Sequence, residues 1–172
     1  EYETPDGTLS VAVNQTDDWP YGDEVPLLDD FLVPRCNKYL VTQESDLPAL
    51  RHLLCEPDAE ELDACRALWR SGREFARERG LLFAAGWGVG ADALGWLCGL
   101  QNAILYAVDR PAFLDAVLEY IGDWNRRRTE ILLEQQPDLF LRRAWYEGTA
   151  YWSPALYRRF LLPRLQEKVR LV

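Results

Sequence analysis

Arg142, Arg143, Trp145, Tyr146 and Glu147 stand together in the run RRAWYEGTAYWSP, residues 142–154, which continues through Tyr151 and Trp152 to a Ser-Pro pair. A glutamate held among aromatic rings loses solvation, its proton affinity rises, and it can serve as an acid or base. A neighbouring arginine has the opposite effect, holding the carboxylate ionised, and can itself grip a substrate carboxylate. Glu147 is therefore the candidate catalytic group, with Arg143 and Tyr146 as candidate substrate contacts. A Glu–Arg pair that only braces the loop would have the same sequence. Strand-like alternation sets Arg143, Trp145 and Glu147 on one side and Arg142 and Tyr146 on the other. Tyr151 and Trp152, beside the Ser153–Pro154 helix start, read as packing for the last helix.

A second stretch, GWGVGADALGW, residues 86–96, has glycine at 86, 88 and 90 ahead of a helix beginning around Ala91. Such a loop presents backbone N–H groups and a helix N-terminus to an anion, or it merely lets a tight turn pass; both readings stay open. Trp87, Gly88, Gly90 and Trp96 join the candidate substrate-binding residues. The glycines are not a dinucleotide fingerprint, because no acidic residue ends a following strand about 20 residues on. Cys36, Cys55, Cys65 and Cys98 form no C-x-x-C pair and His52 is the sole histidine, so these residues assemble no zinc site. Cys65 and Cys98 read as small hydrophobes on helix faces.

The elements that would position these groups follow from periodicity. TPDGT flanked by alternating residues predicts an N-terminal β-hairpin, with Leu9, Val11 and Val13 on one side of its second arm. The proline-containing stretch WPYGDEVPLLDDFLVPR reads as an extended loop, the pairs Asp17–Asp18 and Asp29–Asp30 as solvated turns, and Asn37 to Val41 as a short strand before the helices. From Ser45 the pattern is helical. Leu62, Cys65, Leu68, Trp69, Phe75 and Ala76 form a stripe expected to cover a core, and Gly80 stops that helix. Leu81 to Ala85 and Leu139 to Leu141 are short apolar runs of the kind found in buried parallel strands. Between them lies a helix with Asp109 as cap, Pro111 in its first turn and Leu114, Val117, Ile121, Trp124 and Ile131 on its apolar face. The chain closes as helix, break at Pro163, helix. Strands alternating with helices predict an α/β fold with a parallel sheet, and the two candidate loops then leave the same end of that sheet.

Composition narrows the function classes. The 172-residue chain is 48% hydrophobic, enough for one sizeable core without disulfides. Its formal charge of -9 argues against nucleic acid and anionic membranes as partners. No apolar run reaches the roughly 18 residues of a membrane span. These features predict a soluble, cytoplasmic protein. The chain starts at Glu1 and contains no methionine, so a piece of a longer protein is expected.

Several stretches together are similar to the uroporphyrinogen decarboxylase superfamily: TPDGTL, DLPAL, the glycine-rich strand end followed by LCGLQNAI, DRPAFLDAV and, most specifically, YWSPALYRRFLLPRLQEKV. In the last of these, Ser153–Pro154, Tyr157, Phe160 and Pro163 fit the family's late helix. The resemblance spans nearly the whole chain. It implies a (β/α)8 TIM barrel of which residues 1–172 are a central sector, with hairpin and loop over 1–44 and βα units over 45–172. It implies either cofactor-free decarboxylation of a tetrapyrrole-type substrate or, as an alternative, zinc- and corrinoid-dependent methyl transfer involving a corrinoid protein. A non-catalytic macrocycle-binding module is a third reading, and a homodimer fits any of them. By this matching, Trp96 stands near the decarboxylase tyrosine position and Glu147 near its serine position, so neither family residue is kept. The family aspartate would precede Glu1 and the zinc ligands would follow Val172.

Overall fold

The structure, a computed structural model, describes residues 1–86 and 90–172. The expectations for Trp87 and Gly88 lie outside the described residues. The PDG turn closes an antiparallel hairpin of β1 (Tyr2–Thr4) and β2 (Gly7–Leu9), with Tyr2 opposite Leu9. The second arm is shorter than expected. Val13 belongs to β3 (Ala12–Val13), which pairs antiparallel with β4 (Cys36–Lys38). Asp29 then caps a 3-10 turn, Asp30–Leu32, that carries Leu32 into the core.

Helices α1 (Leu47–Leu53) and α2 (Ala59–Glu78) follow. Asp58 and Glu61 form a reciprocal box at the start of α2, each side chain accepting the other's backbone N–H at 2.8 and 3.0 Å. The stripe on α2 does not cover a core: of its residues only Ala76 is buried, Leu68 is 71% exposed and Cys65 is open to solvent. The physical reason is the small sheet beside it, which has no surface broad enough to receive a twenty-residue helix. Polar links hold α2 instead, among them the Arg66–Glu134 ion pair and a bond from Arg73 to the Gln136 carbonyl.

That sheet consists of β5 (Ala84–Ala85) and β6 (Leu139–Phe140), parallel as expected, with Ala84 opposite Leu139. Their expected burial is not found. Leu81, Leu82, Leu139 and Leu141 are all exposed, because among the described residues no third strand or covering layer lies against them.

The core is helical. The short α3 (Asp92–Cys98) is buried along its whole length, and Gly99, at φ 81°, separates it from α4 (Leu100–Asp109). Helix α4 runs through Asp109, so Asp109 does not cap the next helix. Arg110 intervenes and Pro111 opens α5 (Pro111–Leu133), where its missing N–H costs nothing. Leu114, Val117, Ile121 and Ile131 of α5 are buried, as their spacing predicts, and Trp124 is partly so. Ser153 caps α6 (Pro154–Leu156), a π turn spans Tyr157–Leu161, and α7 (Leu162–Leu171) packs on α5. The expected break at Pro163 appears as that π turn, which absorbs the hydrogen bond proline cannot donate. Trp152 is buried and Tyr151 is not. The architecture is thus mixed α/β, predominantly helical, with sheets of two strands. Among the described residues no helix is long and apolar enough to cross a membrane.

Candidate functional site

Because β5 and β6 are parallel, the chain leaves both at the same end of the sheet, and the two loops meet there. After β6 the backbone stays extended only briefly and turns at Trp145–Tyr146. Alternation fails at that turn. Glu147 comes round to the side of Arg142, while Arg143, Trp145 and Tyr146 gather near α3 and the Asp30 turn.

Arg143 is the centre of the first group. Its Nη2 lies 2.5 Å from Asp30 Oδ1 and its Nε 3.0 Å from Asp92 Oδ2, and its guanidinium sits over the rings of Trp145 at 4.1 Å and Trp96 at 5.2 Å. Trp96 Nε1 and the Tyr146 hydroxyl donate to the same Asp30 Oδ1, at 3.0 and 3.4 Å. Asp92 has no solvent exposure, and its Oδ1 accepts the Tyr146 backbone N–H at 3.0 Å. Burial pushes the Asp92 carboxyl above its usual range, and the Tyr146 N–H and the Arg143 charge only partly counter this. Burial works against the Arg143 charge too, but the Asp30 hydrogen bond and the charges of Asp92 and Asp30 outweigh it and hold the proton more tightly than usual. Burial, then the Asp30 charge, raises the Tyr146 hydroxyl. Leu28, Trp124 and Arg128 complete the walls of an open cleft of about 530 Å³ lined also by Asp30, Trp96, Arg143 and Trp145. Arg128 stacks on Trp124 at 4.7 Å. Among the described residues it has no carboxylate partner, and burial depresses its proton affinity.

Glu147 belongs to a second group. Its side chain is 5% exposed, and its two oxygens lie 2.5 and 2.7 Å from Arg142 Nη2. Oε1 also accepts the Ala91 N–H at 2.9 Å. The start of α3 is therefore already supplied with a carboxylate by the protein itself. Gly90 makes this possible: a Cβ there would overlap Glu147 Oε1 and lie 2.6 Å from Arg142 Nη2. Its role among the described contacts is to admit Glu147, with no positive φ required.

Of the sequence-predicted site residues, Arg143, Tyr146 and Trp96 are brought together, Glu147 and Gly90 face each other on the other side of the loop, and Trp87 and Gly88 fall outside the described residues. The arginine that holds Glu147 is Arg142, not Arg143. Asp30, Asp92, Trp124, Arg128 and Trp145 were not singled out as site residues from the sequence. Asp30 in particular is no solvated turn residue but the acceptor shared by three donors. Among the described residues no group of three or more His, Cys, Asp or Glu is placed to hold a metal ion. Compared with known proteins, the chain matches no family model, no curated protein and no solved structure.

Proposed function

We propose that the Arg143 cleft receives a planar, carboxylate-bearing ligand of the tetrapyrrole type, and that the chain contributes this site to an enzyme of the uroporphyrinogen decarboxylase kind, of (β/α)8 barrel design, acting without a cofactor. The observation that carries the reading is the meeting of two arginines and three tryptophans around one acidic anchor, Asp30, at the strand ends. Tryptophan faces suit a conjugated ring, and an arginine stacked on one of them, as Arg128 is on Trp124, can reach an acidic substituent. Arg128 is the arginine suited to a ligand carboxylate. Arg143, held by Asp30 and Asp92, sets the local field. Asp30 Oδ2 would accept from ring N–H groups.

In the reaction, the bond between an acetate carboxyl and its methylene carbon breaks, carbon dioxide leaves, and the electron pair on carbon takes up a proton. Arg128 binds and orients an acidic substituent, Arg143 holds Asp30 in place, and Asp30 fixes the ring so that the reacting arm is presented.

Titrating uroporphyrin against the protein, with tryptophan fluorescence as the signal, tests the site. Saturable quenching is expected, weakened about tenfold or more by Arg128→Gln or Arg143→Lys, in line with the roughly 1.5–3 kcal/mol of a charged hydrogen bond. Absence of quenching, or quenching indifferent to both changes, would overturn the reading. Because the resemblance sets the family aspartate before Glu1 and the zinc ligands after Val172, residues 1–172 alone are expected to be inactive, and anaerobic incubation of the full-length protein with uroporphyrinogen tests the chemistry, with chromatography to count the carboxyls lost. Binding without decarboxylation would leave a macrocycle-binding module. Thiol methylation from methylcobalamin that requires added zinc would instead establish the methyl-transfer alternative.

A further inference from the structure

A second enclosure, of about 70 Å³, lies between α5 and α7. Leu118 and Ile121 of α5 and Leu161 of the π turn give it an apolar wall, and Lys168 of α7 stands in its polar wall with Asn125 and Arg142. The Lys168 ammonium donates to Asn125 Oδ1 at 3.0 Å and to Thr129 Oγ1, both neutral acceptors on α5. The ammonium also stands 5.3 Å from the centroid of the Phe140 ring, and none of these three contacts brings a negative charge.

The surrounding charges do not balance this cation. From the loop after β6, Arg142 faces Lys168, but Glu147 is already bonded to Arg142 and to the Ala91 N–H. From α5 comes Arg128, a further positive charge. On α7 itself, Glu167 pairs with Arg126 and Arg164 pairs with Glu119 and Asp115. Each of these carboxylates thus already serves an arginine, and among the described residues Lys168 has no carboxylate partner. This surplus of positive charge is notable in a chain whose formal charge is -9. Burial first, then the charges of Arg142 and Arg128, pushes the Lys168 amine down to about 8, so the group still carries its proton at pH 7.

We propose that this enclosure binds a small monocarboxylic acid with a short hydrocarbon tail, its carboxylate paired with Lys168 and its tail against Leu118, Ile121 and Leu161. The volume is well above the roughly 10–15 Å³ that a single water needs, and an apolar wall beside one cation that has no carboxylate partner among the described residues favours a one-headed, greasy anion over a mineral one. This site is separate from the Arg143 cleft and does not depend on the function proposed for it.

Butyrate is the probe. Lys38 and Lys168 are the chain's two lysines, so carbon-13-labelled lysine gives one resonance for the site and one internal control. On adding butyrate the Lys168 titration midpoint should rise by about one pH unit while Lys38 stays put, because the bound anion favours the protonated amine. The sign follows for affinity: binding is full where butyrate is ionised and Lys168 protonated, and weakens above about pH 8 as Lys168 loses its proton and in acid as butyrate gains one. Lys168→Met, which keeps the packing and removes the charge, should abolish the thermal stabilisation by butyrate. Four results would overturn the proposal: no shift at Lys168, equal shifts at both lysines, an equal thermal gain from neutral butyramide, or inorganic phosphate matching butyrate. The wild-type titration decides the question even if Lys168→Met fails to fold.

Discussion

Replacing Gly90 by Ala adds a single methyl group, yet the structure makes it a severe change. The new Cβ would overlap Glu147 Oε1 and stand 2.6 Å from Arg142 Nη2 and 3.1 Å from Glu147 Cδ. A carboxylate at a surface would swing aside at little cost, but Glu147 is 5% exposed and fixed from two directions, by Arg142 and by the Ala91 N–H. Moving Oε1 out of the way leaves that buried N–H unsatisfied, at about 1–3 kcal/mol. It also loosens a pair whose complete rupture in a buried setting costs about 3–5 kcal/mol, a figure to be discounted because Arg142 retains some solvent. A loss of about 2–4 kcal/mol is expected, which at roughly 2–4 °C per kcal/mol for a chain of this size is about 4–16 °C in Tm. The backbone at residue 90 is compatible with alanine, so the penalty should belong to the Glu147–Arg142 pair, which Glu147 holds in place. A double-mutant cycle measured by chemical denaturation isolates it: in a Glu147→Ala or Glu147→Asp background the added methyl should cost less than about 1 kcal/mol. An equal cost in both backgrounds would refute the reasoning.

Two further outcomes are expected. Gly99→Ala should destabilise by about 2–4 kcal/mol, read from the denaturation midpoint, since φ is 81° there and the Cβ would stand 2.6 Å from Tyr39 Cζ; a loss below 0.5 kcal/mol would show that the α3–α4 junction adjusts freely. Glu147→Gln keeps an acceptor for the Ala91 N–H but removes the charge opposite Arg142, so stability should fall by about 1–3 kcal/mol with turnover changed less than about tenfold. A fall in turnover of about 10²-fold or more at unchanged stability would instead make Glu147 an acid or base.

Local signals in this chain were legible where they involve neighbours in sequence. The PDG hairpin, the α5 stripe, the Ser153 cap and the parallel pairing of β5 with β6 each rest on periodicity or on turn and capping chemistry, and the structure has all of them. The stripe on α2 misled because amphipathic spacing reports that a helix could bury a face, not that a partner exists to receive it. Asp109 looked like a cap, yet Pro111 allowed α4 to run on and Arg110 to make the turn. Asp30 was hidden for a different reason. Its donors are Trp96, Arg143 and Tyr146, more than sixty residues away, and nothing in the local run DDFL distinguishes a half-buried, shared acceptor from a solvated one.

The site residues show the same division in sharper form. The concentration of arginines, aromatics and one glutamate over 142–147 correctly marked where distant parts of the chain converge, but which group faces which was set by the turn at Trp145–Tyr146. That turn gives two adjacent arginines opposite fates. Arg142 is matched to Glu147 and thereby ties the loop to the start of α3, whereas Arg143 is set between Asp30 and Asp92 with its guanidinium on tryptophan faces. Each pair supports the other. Glu147 fixes Ala91, the residue before Asp92, and Asp92 accepts the N–H of Tyr146, the residue before Glu147, so the two loops are laced by reciprocal bonds one residue apart. A change at Gly90 should therefore be felt at Arg143, across the loop, although no atom of residue 90 lines that cleft. Brace and cleft are consecutive residues of one backbone, and stiffness in the first is what keeps the second in register.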